Sequence, residues 1–305
     1  MAEAAGHKFG QFIGEYCEAA IEPLLQGFAD RNGLFLDKVG PRPARTGKKV
    51  KWIDSYGNSH NLDYVLERGG SPEKVGTPVA FIESAWRRYT KHSRNKAQEI
   101  QGSVLPIRDK HQFSAPFMGC ILAGVYTSGA LEQLWSVGFK ILYFTYDSVI
   151  EAFNTVGIDA RFDEQTPDAE FDTRMAKWKS VPTRRRGKVW AKLVELNQPN
   201  VDAFMAHLER AVKRQITAVR VTPLHGAAKD CVTVDEAVTF VDGYDETAAT
   251  GPLVKYEVLI RYDNGDKIEA QFQDKATTVE FLRAYQTGNW TPAVDSRDDD
   301  VERGN

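Results

Sequence analysis

Between residues 79 and 157 short apolar runs alternate with segments of helical period, and this limits the chain to folds in which helices separate the strands of a sheet. VAFIESAW (79–86), PFMGCILAGV (116–125) and FKILYFTY (139–146) are bounded by turn residues, as buried strands are. SRNKAQEIQGSVLPI (93–107), SGALEQLWSVG (128–138) and DSVIEAFNTVG (147–157) carry helical spacing. Ser93 is placed as an N-cap and Gly138 as a helix stop. The pattern predicts an α/β fold with helices on the faces of a sheet.

Ahead of this region, Phe9, Phe12, Ile13, Tyr16, Cys17, Ala20, Ile21, Leu24 and Leu25 mark a helix over 6–32, with Pro23 and Gly27 signalling a kink or break. The stretch GPRPARTGKK (40–49) is a basic loop. KKVKWIDS (48–55) and NLDYVLER (61–68), joined by YGNSH, read as a hairpin. The order is then α, β, β, β, α, β, α, β, α.

From residue 158 the texture changes. The acidic stretch 159–172 reads as a connecting segment, and 171–196 is basic with two tryptophans. Residues 200–216 form an amphipathic helix. The segments 229–244 and 255–274 are strand-rich, the second with a hairpin signal at Asp-Asn-Gly-Asp. TTVEFLRAYQT closes on a helix capped by Thr277 or Thr278. The expected domains are a core over 1–157, an α+β region over 158–290 and a disordered tail over 291–305.

Composition excludes several classes of function. With 39 Lys and Arg against 42 Asp and Glu, the net charge of −3 gives no whole-chain signal for nucleic acid, so local clusters must be sought. Cys17, Cys120 and Cys231 are far apart and form no CxxC pair, so they are expected to be structural thiols in a reducing compartment. The sequence offers no membrane span and no secretory signal, which makes the cytoplasm the expected location. Neither a GxxxxGK[ST] phosphate loop nor HExxH, GxGxxG or GxSxG occurs.

The chemistry concentrates on three features. Asp63 falls near the middle of the second hairpin strand, Glu83 at the end of the next apolar strand, and Lys96, Gln98 and Glu99 open the helix after it. A carboxylate ending an apolar strand is costly to bury without a partner, and a divalent cation is one such partner. Magnesium binds one or two carboxylates together with phosphate and water, a set that Asp63 and Glu83 on neighbouring strands can begin. A lysine beside them would orient a water and balance charge on phosphorus.

This order, with Asp63 on the second strand and Glu83 on the third, resembles the PD-(D/E)XK nuclease superfamily, of which restriction endonucleases are members. The resemblance covers residues 6–153 and implies an αβββαβ core with a mixed central sheet flanked by helices. It also implies Mg²⁺, with Mn²⁺ able to substitute, and metal-dependent hydrolysis of DNA phosphodiesters by a type II restriction endonuclease or related defence nuclease. Leu62 stands where the pattern has proline, and Ala85 stands where it has the catalytic lysine. Some members supply that lysine from the following helix, which makes Lys96 the candidate, with Lys91 behind it and Glu99 as a further catalytic candidate. An acid on the N-terminal helix, as many members have, would be Glu15 or Glu18.

Two basic clusters are candidates for DNA contact. One follows Glu83 and holds Arg87, Arg88, Lys91, His92 and Arg94; the other holds Arg184, Arg185, Arg186 and Lys188, with Pro-Thr-Arg-Arg-Arg-Gly expected as an exposed loop. The expected partner is double-stranded DNA, with a twofold homodimer if the target is palindromic and a cognate methyltransferase or helicase if the chain is a subunit. A catalytically silent DNA-binding module of the same fold is the alternative.

Overall fold

The computed structural model describes residues 5–90, 93–247, 251–288 and 290–291. The chain forms α1 (Ala5–Arg31), β1 (Leu34–Lys38), β2 (Val50–Ile53), β3 (Ser59–Leu62), β4 (Tyr64–Arg68), β5 (Thr77–Arg87), α2 (Ser93–Lys110), β6 (Phe117–Gly124), α3 (Ser128–Ser136), β7 (Lys140–Thr145) and α4 (Tyr146–Asn154). There follow α5 (Asp168–Ser180), α6 (Thr183–Leu196), α7 (Gln198–Lys213), β8 (Ile216–Pro223), β9 (Lys229–Cys231), α8 (Val234–Gly243), β10 (Tyr256–Tyr262), β11 (Lys267–Phe272) and α9 (Lys275–Arg283). Contacts divide the chain into one unit of residues 1–110 and 117–209 and another of residues 111–116 and 210–305.

The first unit is built on a five-stranded mixed sheet of order β1-β4-β5-β6-β7. β4 pairs antiparallel with both β1 and β5, and β5, β6 and β7 run parallel. β6 is buried at every position, as a strand covered on both faces must be. On one face Phe81, Ala85, Cys120 and Leu122 pack against Ala97, Ile100, Val104 and Ile107 of α2 and against Ala130 and Leu134 of α3. α1 supplies a second apolar stripe of Phe9, Ile13, Ile21, Leu25 and Phe28. It runs unbroken through Pro23 and Gly27 to Arg31, so the expected break does not occur.

The expected hairpin is divided between two sheets. β2 pairs only with β3 among the described strands, in a separate two-stranded ribbon, whereas β4 joins the central sheet. The edge strand β1 was not anticipated. Its hydrophobic set is short, and it is tied down by a buried ion network that only tertiary structure assembles. Arg42 donates to both carboxylate oxygens of Glu67, at 2.7 and 2.9 Å, and lies 2.9 Å from Asp37 of β1, which Arg45 also meets.

The unit boundary also falls elsewhere than the expected 157/158. Phe162 packs edge-on and Phe171 tilted against Phe9, and Trp178 packs between Phe12, Tyr16 and Phe153, so α5 and α6 belong to the sheet-bearing unit. The acidic stretch is irregular only to residue 167, and α5 begins at Asp168. Thr183 to Gly187 form the start of α6 rather than a loop.

The second unit is a four-stranded antiparallel sheet, β11-β10-β8-β9, with α8 and α9. Val219, Val221, Tyr256, Val258 and Ile260 share a core with Ala237, Val241, Phe281 and Leu282. The expected hairpin joins β10 and β11, with Gly265 at φ +89°. Two expectations are corrected here. Residues 234–243 are helical, and the cap of α9 is Asp274, whose carboxylate accepts from the Thr277 amide at 2.9 Å. Only residue 291 of the tail placed at 291–305 is among the described residues.

Candidate active site

Asp63 is not inside a strand. It is the single residue between β3 and β4, where the chain leaves the ribbon and enters the central sheet. Glu83 lies within β5 rather than at its end. The β4–β5 register pairs Tyr64 with Ile82, so the next step outward brings Asp63 opposite Glu83. Directly opposed residues of antiparallel strands project to one face of the sheet.

One hydrogen bond fixes the pair: the Ser84 amide, next to Glu83 in β5, donates to Asp63 Oδ2 at 2.7 Å. Period two puts Glu83 on the face of Phe81 and Ala85, which α2 covers. Glu83 is only 6% exposed, and its Oε1 is buried with no hydrogen-bond partner among the described residues.

Such a carboxylate resists ionisation. Burial, and then the Asp63 charge, push Glu83 up to about 8 against the opposing pull of Lys96. Burial likewise raises Asp63, against the Ser84 hydrogen bond and Lys96. Glu18 of α1 belongs to the same field: burial, then Asp63 and Glu15, push it up to about 7, again opposed by Lys96. Lys96 stands in the first turn of α2 with its side chain 13% exposed, and Nζ donates to Glu99 Oε1 at 2.7 Å. Arg87 lies 3.8 Å from Glu99. Asp63, Glu83, Lys96, Glu99 and Glu18 are therefore one electrostatic cluster drawn from β3–β4, β5, α2 and α1.

Ala85 is buried in the core under α2, with its carbonyl facing the Tyr126 hydroxyl at 3.4 Å. The helix covering that face carries Lys96, whose charge acts on Asp63 and Glu83 from α2 rather than from the strand.

Among the described residues no group of three or more His, Cys, Asp and Glu side chains is placed to hold a metal ion. Two carboxylates nonetheless suffice for Mg²⁺ when phosphate and water complete its six positions. The orphaned Oε1 of Glu83, whose carboxylate lies in the field of Asp63, fits that demand.

A cleft of about 970 Å³ is lined by Glu18, Ser84, Lys96 and Glu99 together with Trp86, Arg88, Phe162 and Phe171, while Asp63 and Glu83 are not among its lining residues. Gly6, Gly10 and Gly14 line the same cleft from α1. A Cβ at Gly14 would stand 3.1 Å from that of Trp86, so the missing side chain lets the ring close on the helix. This i, i+4, i+8 glycine spacing is legible in the sequence. A smaller cleft of about 270 Å³ lies beside Glu15, Glu18, Glu22, Lys38 and Asp63.

The other candidates scatter. Lys91 and His92 lie outside the described residues. Arg88 is committed to structure: it donates to the Phe162 carbonyl and stacks on Tyr146 at 4.2 Å. Arg186 donates to the Val181 and Trp178 carbonyls and covers the Trp178 ring, while Arg184, Arg185 and Lys188 are exposed. Arg94 and Gln98 are exposed on α2, and Gln98 does not line the cleft. Cys17, Cys120 and Cys231 are free and buried. No helix among the described residues is long and apolar enough to cross a membrane.

No family model matches the sequence, and no curated protein matches it. Among solved structures, the chain is similar to AF1548, a protein of unknown function, at 12% identity and a TM-score of 0.28, over 63% of this chain and 98% of that one. A likeness at that score carries no argument about fold or function.

Proposed function

We propose that this cluster is a divalent-metal phosphodiesterase site of the PD-(D/E)XK type. The observation that carries the reading is the buried, unpartnered Oε1 of Glu83 beside Asp63, with the Lys96 amine in the same field. The particular activity we infer is that of a magnesium-dependent DNA endonuclease acting on double-stranded DNA, in restriction or a related defence.

In this reading Asp63 and Glu83 hold Mg²⁺, or Mn²⁺ in its place. The ion, when bound, polarises the scissile phosphate and acidifies a water. Lys96 holds the attacking water and offsets the charge that grows on the phosphate oxygens. The Ser84 amide keeps the Asp63 carboxylate aimed, and Glu99 keeps the Lys96 amine from folding away. Arg87, which lines the cleft on the strand that carries Glu83, would meet substrate phosphate. A methyltransferase, a helicase or a second copy of the chain is the partner this activity would call for.

Incubating the protein with supercoiled plasmid and Mg²⁺ tests the reading. The parent nicks or linearises the plasmid, EDTA stops it, and Glu83→Gln and Asp63→Asn lose at least about 10³-fold in rate. DNA bound without cleavage under Mg²⁺ or Mn²⁺ would leave only the silent binding module.

A further inference from the structure

The β2–β3 ribbon stands apart from the central sheet and has two unlike faces. Val50, Trp52 and Leu62 turn inward to the core under α2. Lys51, Ile53, Ser59 and Asn61 turn outward and are exposed, with Lys48 and Lys49 exposed at its base. The single acid in residues 48–62 is Asp54, which is buried at the tip and consumed there. Its carboxylate accepts from the amides of Tyr56 and Asn58 at 2.8 and 2.9 Å, from Asn58 Nδ2 at 3.1 Å, and lies 3.0 Å from His60 Nε2. Gly57 completes the turn at φ +85°. The tip is thereby held in one shape, and it presents Tyr56 at 89% exposure.

From this geometry we infer that the outer face of the ribbon is the element that seats duplex DNA over the catalytic cluster. The inference rests on the nuclease reading and adds to it the recognition surface. Charge complementarity selects the occupant: Lys48, Lys49 and Lys51 are exposed with no salt bridge among the described residues, and residues 48–62 hold no exposed acid. Size agrees, since a two-stranded ribbon fits a major groove about 12 Å wide. Continuity with the site is covalent. Asn61, paired with Lys51, is two residues from Asp63, so the outer face ends about 7 Å along the strand from the first carboxylate. A duplex held by Lys49 and Lys51 would lie with a phosphate near Asp63, and Tyr56 and Asn61 would meet base edges or sugars. A rigid tip suits this role, because little side-chain or loop freedom remains to be lost on binding.

The test measures binding of the full-length protein to a fluorescent 30-base-pair duplex in EDTA, from 50 to 200 mM salt, with plasmid cleavage in Mg²⁺ run in parallel. The double variant Lys49→Ala, Lys51→Ala is expected to reduce the slope of log Kd against log salt by about 1.8, the loss of two phosphate contacts. Tyr56→Ala is expected to weaken binding at least about fivefold at every salt concentration while leaving the slope unchanged. These side chains are exposed, so both variants should melt with the parent. A slope that moves only with Arg184→Ala, Arg185→Ala would place the duplex at α6 and overturn the inference, while parental cleavage leaves the nuclease reading standing. A parent that neither binds nor cuts DNA ends both.

Discussion

The Ser84 amide donates to Asp63 Oδ2 at 2.7 Å, so the residue that follows Glu83 in β5 orients the carboxylate that faces Glu83. One strand thus supplies one acid and aims the other. The arrangement leaves Glu83 buried beside Asp63, where burial first and the Asp63 charge second make it resist ionisation.

That resistance has a consequence for stability. Glu83 is pushed up to about 8 in the folded protein, against an ordinary carboxyl value of about 4.3 in the unfolded chain. A folded value above the unfolded one means the native state holds the proton longer. The contribution is fully present below the unfolded value and is lost as pH rises through the folded one. Metal-free protein is therefore expected to lose stability between about pH 4.5 and pH 8, by at most about 1.4 kcal/mol per pH unit for one carboxyl. Denaturant melts should show this slope in the parent and a flatter one in Glu83→Gln. Added Mg²⁺ should stabilise the parent more at pH 8 than at pH 5, because ligand carboxylates must be deprotonated.

Lys96 and Glu99 should separate in kinetics. Removing the amine in Lys96→Ala is expected to cost about 10²- to 10³-fold in the rate of cleavage, with duplex affinity changed little. Glu99 is 60% exposed and acts by holding Lys96, so Glu99→Gln should cost less than about tenfold. Single-turnover cleavage with excess enzyme gives both numbers. Equal losses would place Glu99 among the reacting groups.

Glu18 and Glu15 lie one turn apart on α1, but only Glu18 is half-buried in the field of Asp63. Glu18→Gln is expected to raise the Mg²⁺ concentration needed for half-maximal cleavage by about tenfold. Glu15→Gln should leave that midpoint in place, and a shift of equal size in both variants would count against a specific role for Glu18.

Trp178 tests the meaning of the second basic cluster. It is 6% exposed among Phe12, Tyr16 and Phe153, so Trp178→Ala should destabilise the protein by about 3–5 kcal/mol. Thermal or urea melts measure this directly. Duplex affinity of the folded variant is expected to be unchanged, because a core ring is not a stacking platform for bases.

Much of the first unit was legible because its signals are local. The buried strands 79–86 and 116–125 announced themselves by apolar runs between turn residues, and α2 and α3 by their spacing. Thr183 to Gly187 misled because a proline and a run of arginines also suit a loop, while the buried positions that make α6 a helix, Val189 and Leu193, follow them. Residues 234–243 misled through valine and threonine, whose strand preference is overridden when Ala237, Val238 and Val241 pack on the second sheet.

By itself the sequence determined that apolar strands alternate with helices, that Asp63 precedes Glu83 by one strand, and that an amine follows on the next helix. Those are consequences of periodicity and chain order. Tertiary structure alone decided that β2–β3 leave the central sheet, that β1 becomes its edge, and that Asp63 falls at the break where the two sheets part. It also brought Glu18 into the field of Asp63 and left Glu83 Oε1 buried without a partner. The reason is that burial and cross-strand register depend on what residues far away in the chain place on each face, which no window of sequence contains.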